Sequence, residues 1–295
     1  PYVYRGGQDD YMIVDLETWK VTFEGIVGSQ EDANAKYNAT DYKTKKLVLR
    51  KVEPGTYTIG HSELTKTASD GRDGINTPHT VTVPEGTCYY MSIYECSVAQ
   101  YKRIMGTDAS SIDTNAMATV SWNSLRNSAG ANTEIAGDKT NTANFFVRFN
   151  GLAGYTFDLP TEEMWEIAAR AGCRTCHLWG DEWSSDYSKY IQSSIKVAVG
   201  GKLPNNWGLY DVFGNVWEWT RDNYYKGDLA GVQSDGLTPI VSATGVDASY
   251  IPYRGAGTNG RYTNGYAWCE LSMRHQQTKT YYGKEVGFRL SYIMP

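Results

Sequence analysis

From Tyr11 to Val27 β-branched and aromatic residues alternate with polar ones, a period-two pattern that predicts one or two strands. Gly28 to Lys45 breaks the alternation with Asn, Asp and Lys and reads as a linker or long loop, which places a boundary near residue 45. Beyond it, Lys46 to Gly60 predicts a strand, a turn at Pro54 and Gly55, and a second strand. His79 to Val83 and Cys88 to Tyr94 predict two more. The period then changes to that of a helix. Ser97 with Gln100 makes a capping box, Val98, Tyr101 and Met105 form an apolar stripe, and Gly106 supplies the stop. A second helix starts at Thr161, whose hydroxyl can cap it. Glu162 and Glu163 fall in its first turn, where the helix dipole favours carboxylates, while Met164, Ile167 and Ala168 face inward. After Gly172 only short strands, turns and aromatic loops are expected. The pattern predicts an α+β fold with few helices, small twisted sheets and much irregular loop. Residues 1–45 form a short β-rich N-terminal extension and linker, and residues 46–295 form one domain.

Composition narrows the functional classes. The chain has 295 residues, 41% hydrophobic and 21% charged, with no apolar run approaching the ~18 residues of a membrane span. Its formal net charge is −5 and its 28 basic residues are scattered, so no stripe exists to neutralise phosphates, and nucleic acid is not an expected partner. The 23 Tyr, 9 Trp and 30 Gly against 7 Phe favour a loop-rich secreted or cell-surface protein, because rings with a polar tip suit places where one edge meets water. Residue 1 is Pro, which reads as a processed chain or a piece of something longer. Five Cys (88, 96, 173, 176 and 269) is an odd number, so at least one stays unpaired within the chain.

The densest chemistry lies in Asn206 to Thr220, which packs three Trp, two Gly, two Asn, an Asp and a Glu into one short stretch. It suggests a folded loop in which carboxylate, amide and carbonyl oxygens converge behind indole rings, the donor set a hard cation requires. Cys173, Cys176 and His177 match the attachment signature of c-type haem, but they fall in the turn after the Thr161 helix, so a disulfide or free thiols is the preferred reading. Zinc is not expected, since no second Cys/His pair has a suitable spacing. His61, His79 and His275 read as surface or loop residues. Neither a nucleophile elbow nor a phosphate loop is present, and the adjacent Glu162 and Glu163 cannot flank one substrate bond.

Nine motifs in order carry a resemblance. They are Pro54–Gly60, Tyr94–Tyr101, Val120–Trp122, Leu159–Arg170, Leu178–Asp181, Gly208–Asp211, Gly214–Trp219, Arg254–Gly255 and Gly287–Leu290. With them the chain resembles the formylglycine-generating, or sulfatase-modifying factor, family. The resemblance implies that family's C-type-lectin-like fold from about Lys46 to Leu290. It also implies a structural calcium ion at Asp211, Val212, Gly214, Asn215, Val216 and Glu218. A second calcium site known in relatives needs an acidic loop, and Ile191 to Asn206 contains no Asp or Glu, so that site is expected to be missing.

Family enzymes oxidise a substrate cysteine to formylglycine with copper held by two of their own cysteines. That pair lies thirteen and eight positions before the Arg matched here by Arg274, where this chain has Arg261 and Tyr266. Only Cys269 is nearby, and one thiolate cannot replace two, so no copper is expected. The expectation is a non-catalytic module for recognition or assembly, with Arg261, Tyr262, Tyr266 and Trp268 contacting a protein or glycan partner. An active copper oxidase is one alternative. Another is a hypervariable display protein of a diversity-generating retroelement, with variation in Gly257 to Glu285. Oligomeric state is left open by the sequence.

Overall fold

The computed structural model describes residues 7–61, 77–126, 143–181, 186, 191–192, 196–232, 235–256 and 270–295. Strands β1 (Tyr11–Asp15) and β2 (Val21–Glu24) form a hairpin, followed by helices α1 (Gln30–Tyr37) and α2 (Asp41–Thr44). Next come β3 (Lys46–Val52), β4 (Gly55–Ile59), β5 (His79–Val83) and β6 (Cys88–Ser92), where the alternation placed them. The helical part holds α3 (Val98–Met105), α4 (Trp122–Arg126), α5 (Phe145–Ala153) and α6 (Glu162–Arg170), with β7 (Phe157–Asp158) before α6. The remainder is β8 (Ile191–Gln192), β9 (Phe213–Gly214), β10 (Trp217–Trp219), β11 (Tyr224–Tyr225), β12 (Val246–Asp247), β13 (Tyr250–Arg254), β14 (His275–Thr278), β15 (Val286–Gly287) and β16 (Ser291–Met294). This is a mixed α+β architecture with few helices and small sheets.

The largest sheet runs β2-β1-β3-β6-β16-β7, each neighbour antiparallel. Pairing of Tyr11 with Arg50 through Asp15 with Lys46 carries this sheet across residue 45. A second sheet, β14-β13-β10-β15, sets β10 antiparallel to β13 and parallel to β15. Between the layers lies an aromatic core: Phe145, Phe149, Phe157 and Phe288 are fully buried, and Tyr101 stacks on Phe145 at 5.3 Å between ring centres.

Residues 28–45 are not the expected linker. Ser29 caps α1 through a box with Asp32, and the helix buries only Ala33 and Tyr37, four positions apart. So narrow an apolar face in a polar segment gives almost no periodic signal. Helix α3 has the expected box at Ser97 and Gln100 and a left-handed Gly106 at φ 69°, which ends it. Its buried face is Ala99, Gln100 and Ile104, however, with Tyr101 and Met105 at the flank. Gln100 turns inward because its amide donates to the Lys46 carbonyl at 2.7 Å and tethers the helix to β3.

Candidate functional site

The loop singled out by composition folds through three left-handed residues, Asp211 (φ 52°), Gly214 (φ 81°) and Asn215 (φ 55°). Two of them carry side chains, a strain of ~1–3 kcal/mol each that the surroundings must outweigh. The coil leaves Asp211, Asn215 and Glu218 buried. The carbonyl oxygens of Val212 and Val216 both lie near Gly255. A Cβ added to Gly255 would stand 3.5 and 3.8 Å from them, and the Gly255 backbone itself has φ 95°. The Gly255 carbonyl accepts from the Gly214 N–H at 2.8 Å, locking the arrangement.

The charges here are out of balance. Glu218 is gripped by Arg289 through two bonds of 2.6 Å, and it accepts from the Trp165 indole N–H at 2.6 Å. Arg289 also donates to the carbonyls of Ser92 and Tyr210. Glu95, not anticipated from sequence, is fully buried beside them and accepts from the Val216 N–H at 3.1 Å and from the Asn215 amide. Burial, then the charges of Asp211 and Glu218, raise the Glu95 carboxyl well above the usual range. Burial is also the chief reason that Asp211 is pushed up to about 6. Asp211 Oδ2 accepts from the Gly200 N–H, while its buried Oδ1 has no hydrogen-bond partner.

Three buried carboxylates facing Arg289, with Lys43 as a further cation near Asp211, leave the cluster short of positive charge. A hard cation would suit Asp211 Oδ1, the buried carboxylate oxygen left without a hydrogen-bond partner. The other expected side-chain donors are engaged elsewhere. Glu218 is held by Arg289, and Asn215 bridges Glu95 and the Val197 N–H.

A second buried network runs along α6. Thr161 caps the helix by accepting from the Met164 N–H at 3.0 Å. Glu162, expected as a simple helix-start charge, is instead buried and paired twice with Arg274, at 2.6 and 2.7 Å. One turn on, Glu166 pairs with Arg170 and Arg254, and Arg254 also donates to the Leu271 carbonyl at 3.0 Å. Asp222 accepts from the Glu162 and Ile240 N–H groups, and burial followed by repulsion from Glu162 raises it to about 7.

The expected ligand-binding residues Arg261, Tyr262, Tyr266 and Trp268 lie outside the described residues. The chain on either side of them is described. Arg254 and Ala256 precede the segment, Leu271 and Arg274 follow it, and both arginines are tied to α6.

In the Cys173 loop both Cys173 and Cys176 are present as thiols, one of the two forms expected. His177 stacks on Trp179 with ring centres 4.5 Å apart, and its Nδ1 lies 3.1 Å from the Gly180 carbonyl oxygen. His61, read as a surface or loop residue, lies in the loop after β4 and places Nδ1 2.9 Å from Cys176 Sγ. His79 is half-buried with its Nε2 3.7 Å from Glu163, and His275 packs against the rings of Trp217 and Tyr253. A cleft of ≈ 480 Å³ opens beside Tyr155, Asp158, Arg221 and Tyr292. Its acid is already committed: Asp158 pairs with Arg126 at 2.6 Å and with Arg221 at 3.1 Å.

The sulfatase-modifying factor enzyme 1-like domain matches residues 34–292. The chain belongs to this family. Among its relatives, the formylglycine-generating enzyme of Mycobacterium tuberculosis is 30% identical over 151 residues, covering 44% of this chain and 49% of that protein. The inactive C-alpha-formylglycine-generating enzyme 2 of Mus musculus is 40% identical over 80 residues, covering 22% of this chain and 26% of that protein. The match thus spans half or less of these relatives' length. Among solved structures, Treponema denticola variable protein 1 shares the fold of this sulfatase-modifying-factor domain. It has a TM-score of 0.60 and 19% identity, covering 84% of this chain and 95% of that one. Glu95 belongs to the second matched motif and Asp181 to the fifth, a signal that marked both positions without giving their roles.

Proposed function

We propose that this chain uses the family scaffold as a non-catalytic recognition or assembly module at the cell exterior, presenting residues 257–269 to a protein or glycan partner. One observation carries the reading: the two positions that hold copper in the family are Arg261 and Tyr266 here, on a segment whose flanks Arg254 and Arg274 anchor to α6. A copper(I) centre needs soft donors at both positions, and neither a guanidinium nor a phenol is one. Tyr262, Tyr266 and Trp268 among Gly and Asn supply rigid aromatic anchors with adaptable neighbours, the composition of a binding surface. Similarity to a mouse protein whose name includes the word inactive supports the same reading.

Calcium belongs to this proposal. Asp211 and the carbonyl oxygens of Val212, Gly214 and Val216 would hold it, and the ion would offset the excess carboxylate charge and stiffen the loop. The binding claim is tested by capture of partners from the source environment and on glycan arrays, comparing the chain with a Tyr266→Ala, Trp268→Ala double variant. Binding lost at unchanged melting temperature supports it; binding retained by the variant contradicts it.

Likeness in fold to a protein named as variable favours a second reading, a display protein that varies in residues 257–285. Comparing the locus between strains separates the two. Substitutions concentrated in that window support display, and a uniform distribution removes it.

A further inference from the structure

The sulfur of Cys176 sits in a hydrogen-bonded relay that the proposed binding function does not use. Its Sγ is 2.9 Å from His61 Nδ1, and His61 Nε2 is 3.3 Å from Asp181 Oδ1. The same carboxylate oxygen accepts from the Cys176 backbone N–H at 2.8 Å. A carboxylate facing Nε2 fixes the proton on that nitrogen, which leaves Nδ1 as the acceptor for the thiol proton. The order S–H, Nδ1, Nε2–H, carboxylate is that of a thiol activated by a base whose orientation a third group holds.

The fold builds this contact from distant parts of the chain. His61 follows β4 and Cys176 follows α6, and Arg170 joins the two. Its guanidinium donates to the Gly60 carbonyl at 2.9 Å and to the Thr175 carbonyl at 3.1 Å. Glu166 fixes Arg170 and also accepts from the Gly60 N–H at 2.7 Å. The Leu271 N–H holds the Cys176 carbonyl at 2.9 Å. Arg170 thus holds the two backbone segments that carry His61 and Cys176 together, with its charge paired to Glu166.

Cys173 completes the arrangement. Its Sγ lies 2.8 Å from Thr175 Oγ1 and 3.5 Å from the His177 carbonyl oxygen, so it folds over the two residues that flank Cys176. The Cys176 residue is only 4% exposed, whereas the Asp181 side chain beside it is 53% exposed. Burial of this kind favours a small reactant over a folded protein substrate.

We propose that Cys176 is an activated thiol that small hydroperoxides oxidise, and that Cys173 resolves the product to a reversible disulfide. His61 takes the thiol proton and the sulfur attacks the terminal peroxide oxygen. The O–O bond breaks, the proton leaves with the alcohol or water formed, and Cys176 becomes a sulfenic acid. The Cys173 thiol then displaces water, forming the S–S bond. In total the two thiols lose two electrons and the peroxide gains them.

The test is titration of the purified chain with hydrogen peroxide, followed by peptide mapping, and alkylation of each thiol against pH. Cys88 and Cys96 serve as internal references, because burial pushes the Cys88 thiol up to about 12 and raises Cys96 further. Expected are a Cys173–Cys176 disulfide, a sulfenic acid trapped at Cys176 in Cys173→Ser, and oxidation of Cys176 slowed about a hundredfold in His61→Ala. Asp181→Asn should slow it less. The alkylation profile needs no variant: Cys176 should react below the pH ~8.5 midpoint of an ordinary thiol. Reaction of Cys176 no faster than Cys88 overturns the proposal, as does a rate indifferent to His61. A bridge from Cys176 to Cys269 overturns the role of Cys173. Stoichiometric uptake of Zn²⁺ lost in Cys176→Ser and His61→Ala makes the cluster a metal centre instead.

Discussion

Glu162 and Arg274, 112 positions apart in the chain, form a two-pronged ion pair inside the protein, with donor–acceptor separations of 2.6 and 2.7 Å. Arg274 follows the segment that carries the proposed binding residues, so this pair ties the chain after that segment to α6. Removing one partner strands a buried charge. Arg274→Met should therefore destabilise the fold by about 3–5 kcal/mol, and the double variant Glu162→Gln, Arg274→Met should recover part of the loss. Denaturant unfolding of the four proteins in the cycle measures this. Strictly additive losses would deny the pair its role.

Stability should fall as pH rises from about 4 to about 7. The Asp222 carboxyl is raised by burial from an ordinary 3.8 to about 7, so the folded state binds its proton more tightly than the unfolded chain does. Its contribution is fully present below the unfolded value and is lost as pH passes through the folded one. Asp211, raised to about 6, acts in the same direction. His79 adds to the trend: burial, the largest single influence, opposes its charge, but the contacts with Glu163 and the Thr77 carbonyl together with the charges of Glu166 and Glu163 outweigh it and raise the imidazole, so its contribution is also lost as pH increases. Thermal melts across pH should show the decline, and Asp222→Asn should flatten it. A melting temperature that climbs over this range would contradict the assignment.

Calcium should raise the melting temperature more at pH 8 than at pH 5. At the lower value a proton occupies the Asp211 carboxyl and competes with the ion; at the higher value the carboxylate is available. Asp211→Asn should abolish most of the effect. No calcium response at either pH would remove the ion from the account.

The strands from Lys46 to Ser92 and the caps of α3 and α6 were readable because alternation and capping are local signals. Helices α1, α4 and α5 were not. The first buries only Ala33 and Tyr37, and α4 is only five residues long. The third packs Phe145, Phe146 and Phe149 into the core but shows no side-chain cap at Asn144. At the sites, local composition marked Asp211 and its loop. It did not show that Glu218 belongs to Arg289 or that His61 meets Cys176, 115 positions away. Pairings across such separations depend on topology, which no short window of sequence encodes.

The central claim is that the scaffold has lost its copper chemistry, and the most direct measurement is copper(I) titration of the reduced chain followed by oxygen uptake with a cysteine-containing peptide. If the family's copper-binding positions fall on Arg261 and Tyr266, as the proposed reading holds, there should be no stoichiometric copper binding in that segment and no aldehyde in the peptide. One copper ion per chain together with formylglycine in the product would contradict it.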